Sequence, residues 1–211
     1  MPTSVSHSST VFAVCSRGLA GSRLVPVAWL SLVVLAASAV PVAAQPGDRA
    51  FPIAGGAFSL QAPEGWQRVQ PKSGIVETEF SIPSEGPDMP AGRMTVMGAG
   101  GDVQQNIDRW YGQFSQPDGA ATKDKAVTKA LKLAGCTVTM VDVAGTYKDT
   151  PGGPFAGGKT IERPGYRMLA AIVETPDDGK YFLKFYGPAA TVTKHVDGFR
   201  KMVEGMVPAK K

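Results

Sequence analysis

Met168-Leu169-Ala170-Ala171-Ile172-Val173-Glu174-Thr175-Pro176-Asp177-Asp178-Gly179-Lys180-Tyr181-Phe182-Leu183-Lys184-Phe185-Tyr186 reads as two apolar strands around a turn. The turn has a chemical cause, because glycine accepts positive φ without a Cβ penalty and aspartate tolerates it. Strands this close in sequence pair antiparallel, since a parallel pair needs a crossover of a dozen residues or more. This hairpin sets the fold class.

The same logic extends outward. Gly187-Pro188 opens a helix, proline being favoured at the first helical position. Val192, Val196, Phe199, Met202, Val203 and Met206 form its apolar stripe, and Pro208 stops it. Upstream, the β-branched run Cys136-Thr137-Val138-Thr139-Met140-Val141 reads as a strand. Between Lys123 and Ala134, the residues Val127, Ala130, Leu131 and Leu133 fit a short helix nearly as well as a strand. The strand, turning at Ala134-Gly135, is preferred because the Cys136 run needs an antiparallel neighbour.

Asp102 and Gln105 make a helix start, followed by Val103, Ile107, Trp110, Tyr111 and Phe114 on one face; Pro117-Asp118-Gly119 closes that helix. Before it lie strand candidates at Phe58-Ser59-Leu60, Trp66 to Val69, Ile75 to Ile82 and Arg93 to Met97. Pro46, Pro52 and Gly55-Gly56 make residues 45–56 a flexible lead-in. The expected organisation is a single globular domain over 57–207 with a tail at 208–211. Its fold class is α+β, an antiparallel sheet covered by two amphipathic helices.

Two ends of this domain carry a family resemblance. Phe58-Ser59-Leu60-Gln61-Ala62-Pro63-Glu64-Gly65-Trp66, and Tyr181 to Pro188 running into a terminal helix with Phe199, resemble exported bacterial relatives of the PsbP-like fold. The resemblance covers about residues 55–207 and implies an α/β/α sandwich. It also implies an accessory or binding role, with no metal or cofactor residues carried over.

The first 44 residues read as an export signal. Arg17 and Arg23 precede an uncharged apolar run from Leu24 to Val40, and Val42-Ala43-Ala44 before Gln45 supplies the small residues of a processing site. A retained membrane anchor is the alternative, but the run is shorter than the roughly 20 residues a spanning helix needs and is flanked by Pro26 and Pro41. A lipid anchor fails on position, because Cys15 precedes the apolar run. Cleavage would make the mature protein periplasmic or extracellular, with no membrane span.

Losing the signal removes two arginines and no acid, so the net charge of +4 falls to +2. Lys123, Lys125, Lys129 and Lys132 form one local cluster, but Asp124 interrupts it and no aromatic residue accompanies it. A solvated face, not a nucleic-acid site, is the reading. Cys136 and His195 are then the only cysteine and histidine. An intrachain disulfide, a Cys-His nucleophile pair and a multi-histidine metal site all lack material. Cys136 reads as a buried structural thiol.

Several local patterns invite chemistry. Gly153 to Thr160 satisfies G-x-x-x-x-G-K-[ST], yet a phosphate loop needs a helix directly after it, and Pro164-Gly165 comes too soon. Nucleotide binding through 153–160 is therefore a third reading, behind a surface loop. Gly98-Ala99-Gly100-Gly101 has Val103 where the third glycine of a dinucleotide fingerprint belongs. Glu77 and Glu79 share a strand face about 7 Å apart, a spacing open to a carboxylate pair. His195 reads as a packed or boundary residue, and Asp142 as a buried acid paired with Thr146 or Tyr147. No catalytic constellation emerges. The expected function is an exported, non-catalytic accessory or binding domain of the cell envelope, its partner an unknown protein or a small apolar ligand. The alternative is an exported hydrolase using Glu77 and Glu79. The deciding observation is whether a concave, partly apolar pocket with converging polar groups exists between the sheet and the Val103–Phe114 helix.

Overall fold

The computed structural model describes residues 49–151 and 159–209. The signal segment, the first residues of the lead-in and positions 153–158 of the glycine-rich motif lie outside the described residues.

Strand β9 (Ile161–Glu174) explains why its sequence is almost continuously apolar. Leu169, Ala171 and Val173 enter one hydrophobic cluster, while Met168, Ala170 and Ile172 enter a second. Alternation therefore buries both faces of this strand. Strand β10 (Lys180–Pro188) pairs with it antiparallel, from Lys180 opposite Glu174 to Pro188 opposite Tyr166. β5 (Gly92–Ala99), β4 (Thr78–Ile82) and β3 (Gln67–Val69) extend the sheet beyond β10. β8 (Cys136–Asp149) extends it beyond β9, and β6 (Phe114–Ser115) and β7 (Val127–Leu133) both pair with β8. Every pairing in this eight-stranded sheet is antiparallel.

The strand reading of residues 127–133 holds. β7 and β8 turn at Ala134 (φ 50°) and Gly135 (φ 82°), a two-residue loop with both φ values positive. That backbone matches the twist of the flanking strands, although only Gly135 adopts it without strain. A bulge interrupts β8 against β9, where Gly145 faces Tyr166 but Tyr147 faces Arg163. Two steps on β8 thus answer three on β9, at Pro164-Gly165 with Gly165 at φ 68°. The extra residue turns Arg163 onto the same sheet face as Tyr166.

Helix α1 (Val103–Gly112) begins where Asp102 accepts from Gln105 N at 3.0 Å. Its Ile107 and Trp110 join the second cluster, Trp110 meeting Phe182 edge-on at 5.1 Å. Phe114 lies past the helix end, because Gln113 is the C-cap and the chain turns into β6. Thr122–Lys125 forms a single turn, α2. The terminal helix divides at His195 into α3 (Ala189–Lys194) and α4 (Val196–Glu204).

The first cluster contains α4 residues Phe199, Met202 and Val203, and also a small sheet ordered β1-β2-β11. Its strands are Ala50–Ile53, Phe58–Gln61 and Val207–Pro208. The covering is thus more than two helices, and two expectations change with it. Part of the lead-in over 45–56 is strand β1, held by buried Phe51 and Ile53, and Pro208 pairs with Phe58 rather than starting a free tail. Pro52 sits on an edge strand with its side chain exposed, where its missing N–H costs no ladder bond. Cys136 is fully buried in the first cluster.

Candidate functional site

Two places on the sheet gather chemistry. The first lies on the α1 face, beyond the helix C-terminus. Strand register puts Arg93 beside Tyr186 and Thr95 beside Lys184. From the adjoining strand, Glu79 reaches Arg93 with both oxygens, at 2.8 Å to Nε and 2.8 Å to Nη2. Arg93 Nη1 donates to the Tyr186 hydroxyl at 2.9 Å. The paired guanidinium holds the buried Glu79 carboxyl below the usual carboxylate range, against the opposing effect of burial.

Lys184 reaches into the middle of this group. Its ammonium lies 5.4 Å from the Tyr147 ring centre and 5.1 Å from that of Tyr186, and it donates to Gln113 Oε1. Tyr147 stacks on Tyr166 with ring planes 9° apart and centres separated by 6.1 Å. Arg163, brought to this face by the bulge, lies over Tyr166 and donates to Asp149 at 2.7 Å. Loss of hydration lowers the Lys184 pKa to about 7, with repulsion from Arg93 adding and attraction to Asp149 opposing. Burial pushes the Tyr147 phenol up.

The second place is a cavity of about 380 Å³ on the opposite face, between the β7–β8 hairpin and α4. Leu131, Met140, Leu169 and Phe199 supply apolar walls, with Lys129, Arg200 and Glu204 among its charged residues. Asp142, also lining it, is clamped by Arg167 at 2.9 Å from Nε and 2.7 Å from Nη2. Arg167 also donates to Thr193 on α3 at 2.9 Å. Asp142 is therefore paired across to β9, not with Thr146 or Tyr147 as its sequence neighbourhood suggests. This cavity lies under α4 rather than under the Val103–Phe114 segment. Near α1, a more open cleft of about 590 Å³ lies between the helix end and residues 115–123.

The other sequence candidates separate. Glu77 is exposed and accepts from Gly98 N at 3.1 Å, whereas Glu79 is 2% exposed and neutralised by Arg93. Glu79 cannot serve as a proton-carrying acid near neutral pH, and Glu77 has no carboxylate partner in it. The carboxylate-pair reading fails on these contacts. Lys159 and Thr160 are exposed and lead directly into β9, so no helix N-terminus follows the glycine-rich motif. Asn106 Nδ2 donates to Gly100 O at 3.1 Å and Asp102 O at 2.8 Å, tightening the Gly98–Gly101 turn onto α1. His195 Nδ1 accepts from Trp66 Nε1 at 3.2 Å, and burial followed by Lys194 lowers its pKa. It is a packed boundary residue. Lys123, Lys125, Lys129 and Lys132 are exposed. Among the described residues no three His, Cys, Asp or Glu side chains converge as a metal site, and no helix is long and apolar enough to cross a membrane.

Sequence reasoning missed the lysine–tyrosine group. Lys184 and Tyr186 alternate with Phe182 along one strand face, which marks a polar residue directed toward a buried side. Their partners Arg93 and Tyr147 come from distant strands, and no local spacing announces them.

No family model matches the chain, and no curated protein matches it in sequence. Among solved structures, it is similar to cyanobacterial PsbP (CyanoP) from Synechocystis sp. PCC 6803, with TM-score 0.45 and 10% identity, covering 79% of this chain and 98% of that one. It is also similar to LpqN of Mycobacterium tuberculosis, a protein involved in cell envelope biogenesis. That match has TM-score 0.41 and 12% identity, over 72% of this chain and 83% of LpqN.

Proposed function

We propose that the mature chain is an exported, non-catalytic binding domain of the cell envelope, holding a small apolar ligand between the β7–β8 hairpin and α4. The observation that carries this is the 380 Å³ cavity, whose size and apolar walls with a few charged groups fit a small-molecule site. Three acids of the sheet are held by arginines: Glu79 by Arg93, Asp142 by Arg167 and Asp149 by Arg163. In this reading residues 1–44 are removed on export, the mature chain starts at Gln45, and the sheet works as the middle layer of an α/β/α sandwich.

The test uses a fluorescent apolar probe, 1-anilinonaphthalene, titrated into the mature protein and into Met140→Trp, which fills the cavity. Saturable enhancement in the parent, reversed by competing alkyl ligands and lost in the variant, supports the site. Equal responses in both proteins would place the probe elsewhere and overturn it. Sequencing the N-terminus of protein recovered from the periplasm or medium tests export; an intact Met1 would contradict cleavage.

A further inference from the structure

We propose that the tyrosine-lined basic end of the α1 face is a second site, binding a small oxyanion, the carboxylate or phosphate of a ligand, against Lys184 and Arg163. It is separate from the apolar cavity, which lies across the sheet.

The charge balance motivates it. Arg93, Arg163 and Lys184 bring three cations to this end, and Glu79 and Asp149 bring two carboxylates. Each carboxylate is taken by an arginine. Lys184 is left with a neutral amide, Gln113, as its one hydrogen-bond acceptor among the described residues. An ammonium has three donors, so two N–H groups have no acceptor among the described residues. Tyrosine faces favour the cation but carry no opposite charge. A partly buried charge without a counter-ion is costly, and an oxyanion is the group that removes this cost.

Access and donors are also present. Arg93 and Arg163 side chains are 34% and 35% exposed, so the outer rim is open, while Lys184, Tyr166 and Tyr186 are half-buried. Arg163 uses Nε for Asp149 and lies against Tyr166, and a guanidinium has five N–H donors, more than these contacts use. Tyr186 accepts from Arg93 through its oxygen, so its own proton is available to a ligand. The bulge at Pro164-Gly165 is what brings Arg163 to this side of the sheet. The site is therefore assembled by a specific irregularity, not by a run of surface lysines.

Anion binding has a proton signature. Free Lys184 is partly neutral near pH 7, and an adjacent anion favours its protonated form, so binding takes up protons. The other titratable groups facing it are Glu79 and Asp149, both held by arginines, and Tyr147, Tyr166 and Tyr186, of which Tyr147 has its phenol pushed up by burial.

Calorimetric titration of the mature protein with inorganic phosphate and, separately, with benzoate tests this. The expected result is binding of at least one, net proton uptake at pH 7.5 in buffers of different ionisation enthalpy, and weakening as pH rises to 9. Lys184→Met, which keeps the chain length and removes the charge, should cost about tenfold or more in affinity and abolish the proton uptake. Arg163→Gln should weaken binding while uptake persists, and Lys201→Met, on the exposed surface of α4, should change neither. Phosphate binding alone would assign a phosphoryl ligand, benzoate alone a carboxylate. No binding of either anion, or binding unaltered in Lys184→Met with its folded spectrum intact, would overturn the site.

Discussion

Lys184 Nζ sits 5.1 Å from the centre of the Tyr186 ring, while Arg93 hydrogen-bonds the hydroxyl of that same tyrosine. One ring thus separates a cation paired with a carboxylate from one that, among the described residues, hydrogen-bonds only a neutral amide. Glu79 neutralises Arg93, and Lys184 is left to desolvation and repulsion.

That asymmetry predicts a pH dependence of stability. Folding lowers the lysine pKa from 10.5 to about 7, so the unfolded chain binds more protons between those values. The Lys184 contribution is therefore unfavourable below pH 7 and is relieved as pH rises toward 10.5. Lys184→Met should melt higher than the parent at pH 6, and the gap should close by pH 10. A constant gap across that range in paired melting curves would show that Lys184 does not titrate there.

The Glu79–Arg93 pair works in the opposite sense. Its carboxylate pKa is lowered by folding, so its stabilisation is present above the unfolded value of 4.5 and is lost as pH falls through the folded one. Glu79→Gln leaves Arg93 without its counter-charge. The expected loss at pH 7 is about 2 kcal/mol, below the usual cost of breaking a buried pair because the Arg93 side chain is a third exposed. Urea unfolding measures it, and an unchanged midpoint would contradict the pairing.

The β7–β8 turn holds an alanine where the backbone favours glycine or asparagine. Ala134 has φ 50°, and Ala134→Asn should gain about 1 kcal/mol by fitting the left-handed conformation. Denaturant midpoints report the gain. A loss of stability would mean that the turn is not of this type.

Thr191 carries the one fully buried side-chain polar atom without a hydrogen-bond partner among the described residues. Thr191→Val keeps the shape and removes an unsatisfied hydroxyl, so it should be neutral or stabilising. A loss above about 1 kcal/mol by the same measurement would reveal a partner for Oγ1.

Local signals made much of this fold legible. Alternation and turn chemistry identify β9–β10 and β7–β8, and Asp102 marks the start of α1 because its cap acts within three residues. Long-range pairing decides what was not legible. Residues 45–56 look loose because Pro52 and two glycines read as breakers, yet an edge strand tolerates the proline and Phe51 is buried from one side. The apolar stripe from Val192 to Met206 continues across His195, so its periodicity hides the break between α3 and α4. Glu77 and Glu79 share a strand parity, which carries no information about the arginine 14 residues on that claims only one of them.

The apolar cavity is the centre of the functional account, and nuclear magnetic resonance tests it most directly. Titrating octanol into isotopically labelled mature protein should shift the signals of Leu131, Met140, Leu169 and Phe199 together and saturably, leaving those of Tyr147 and Tyr186 in place. Saturable shifts confined to other residues, or none at all, would contradict the assignment of the ligand site to the space between the β7–β8 hairpin and α4.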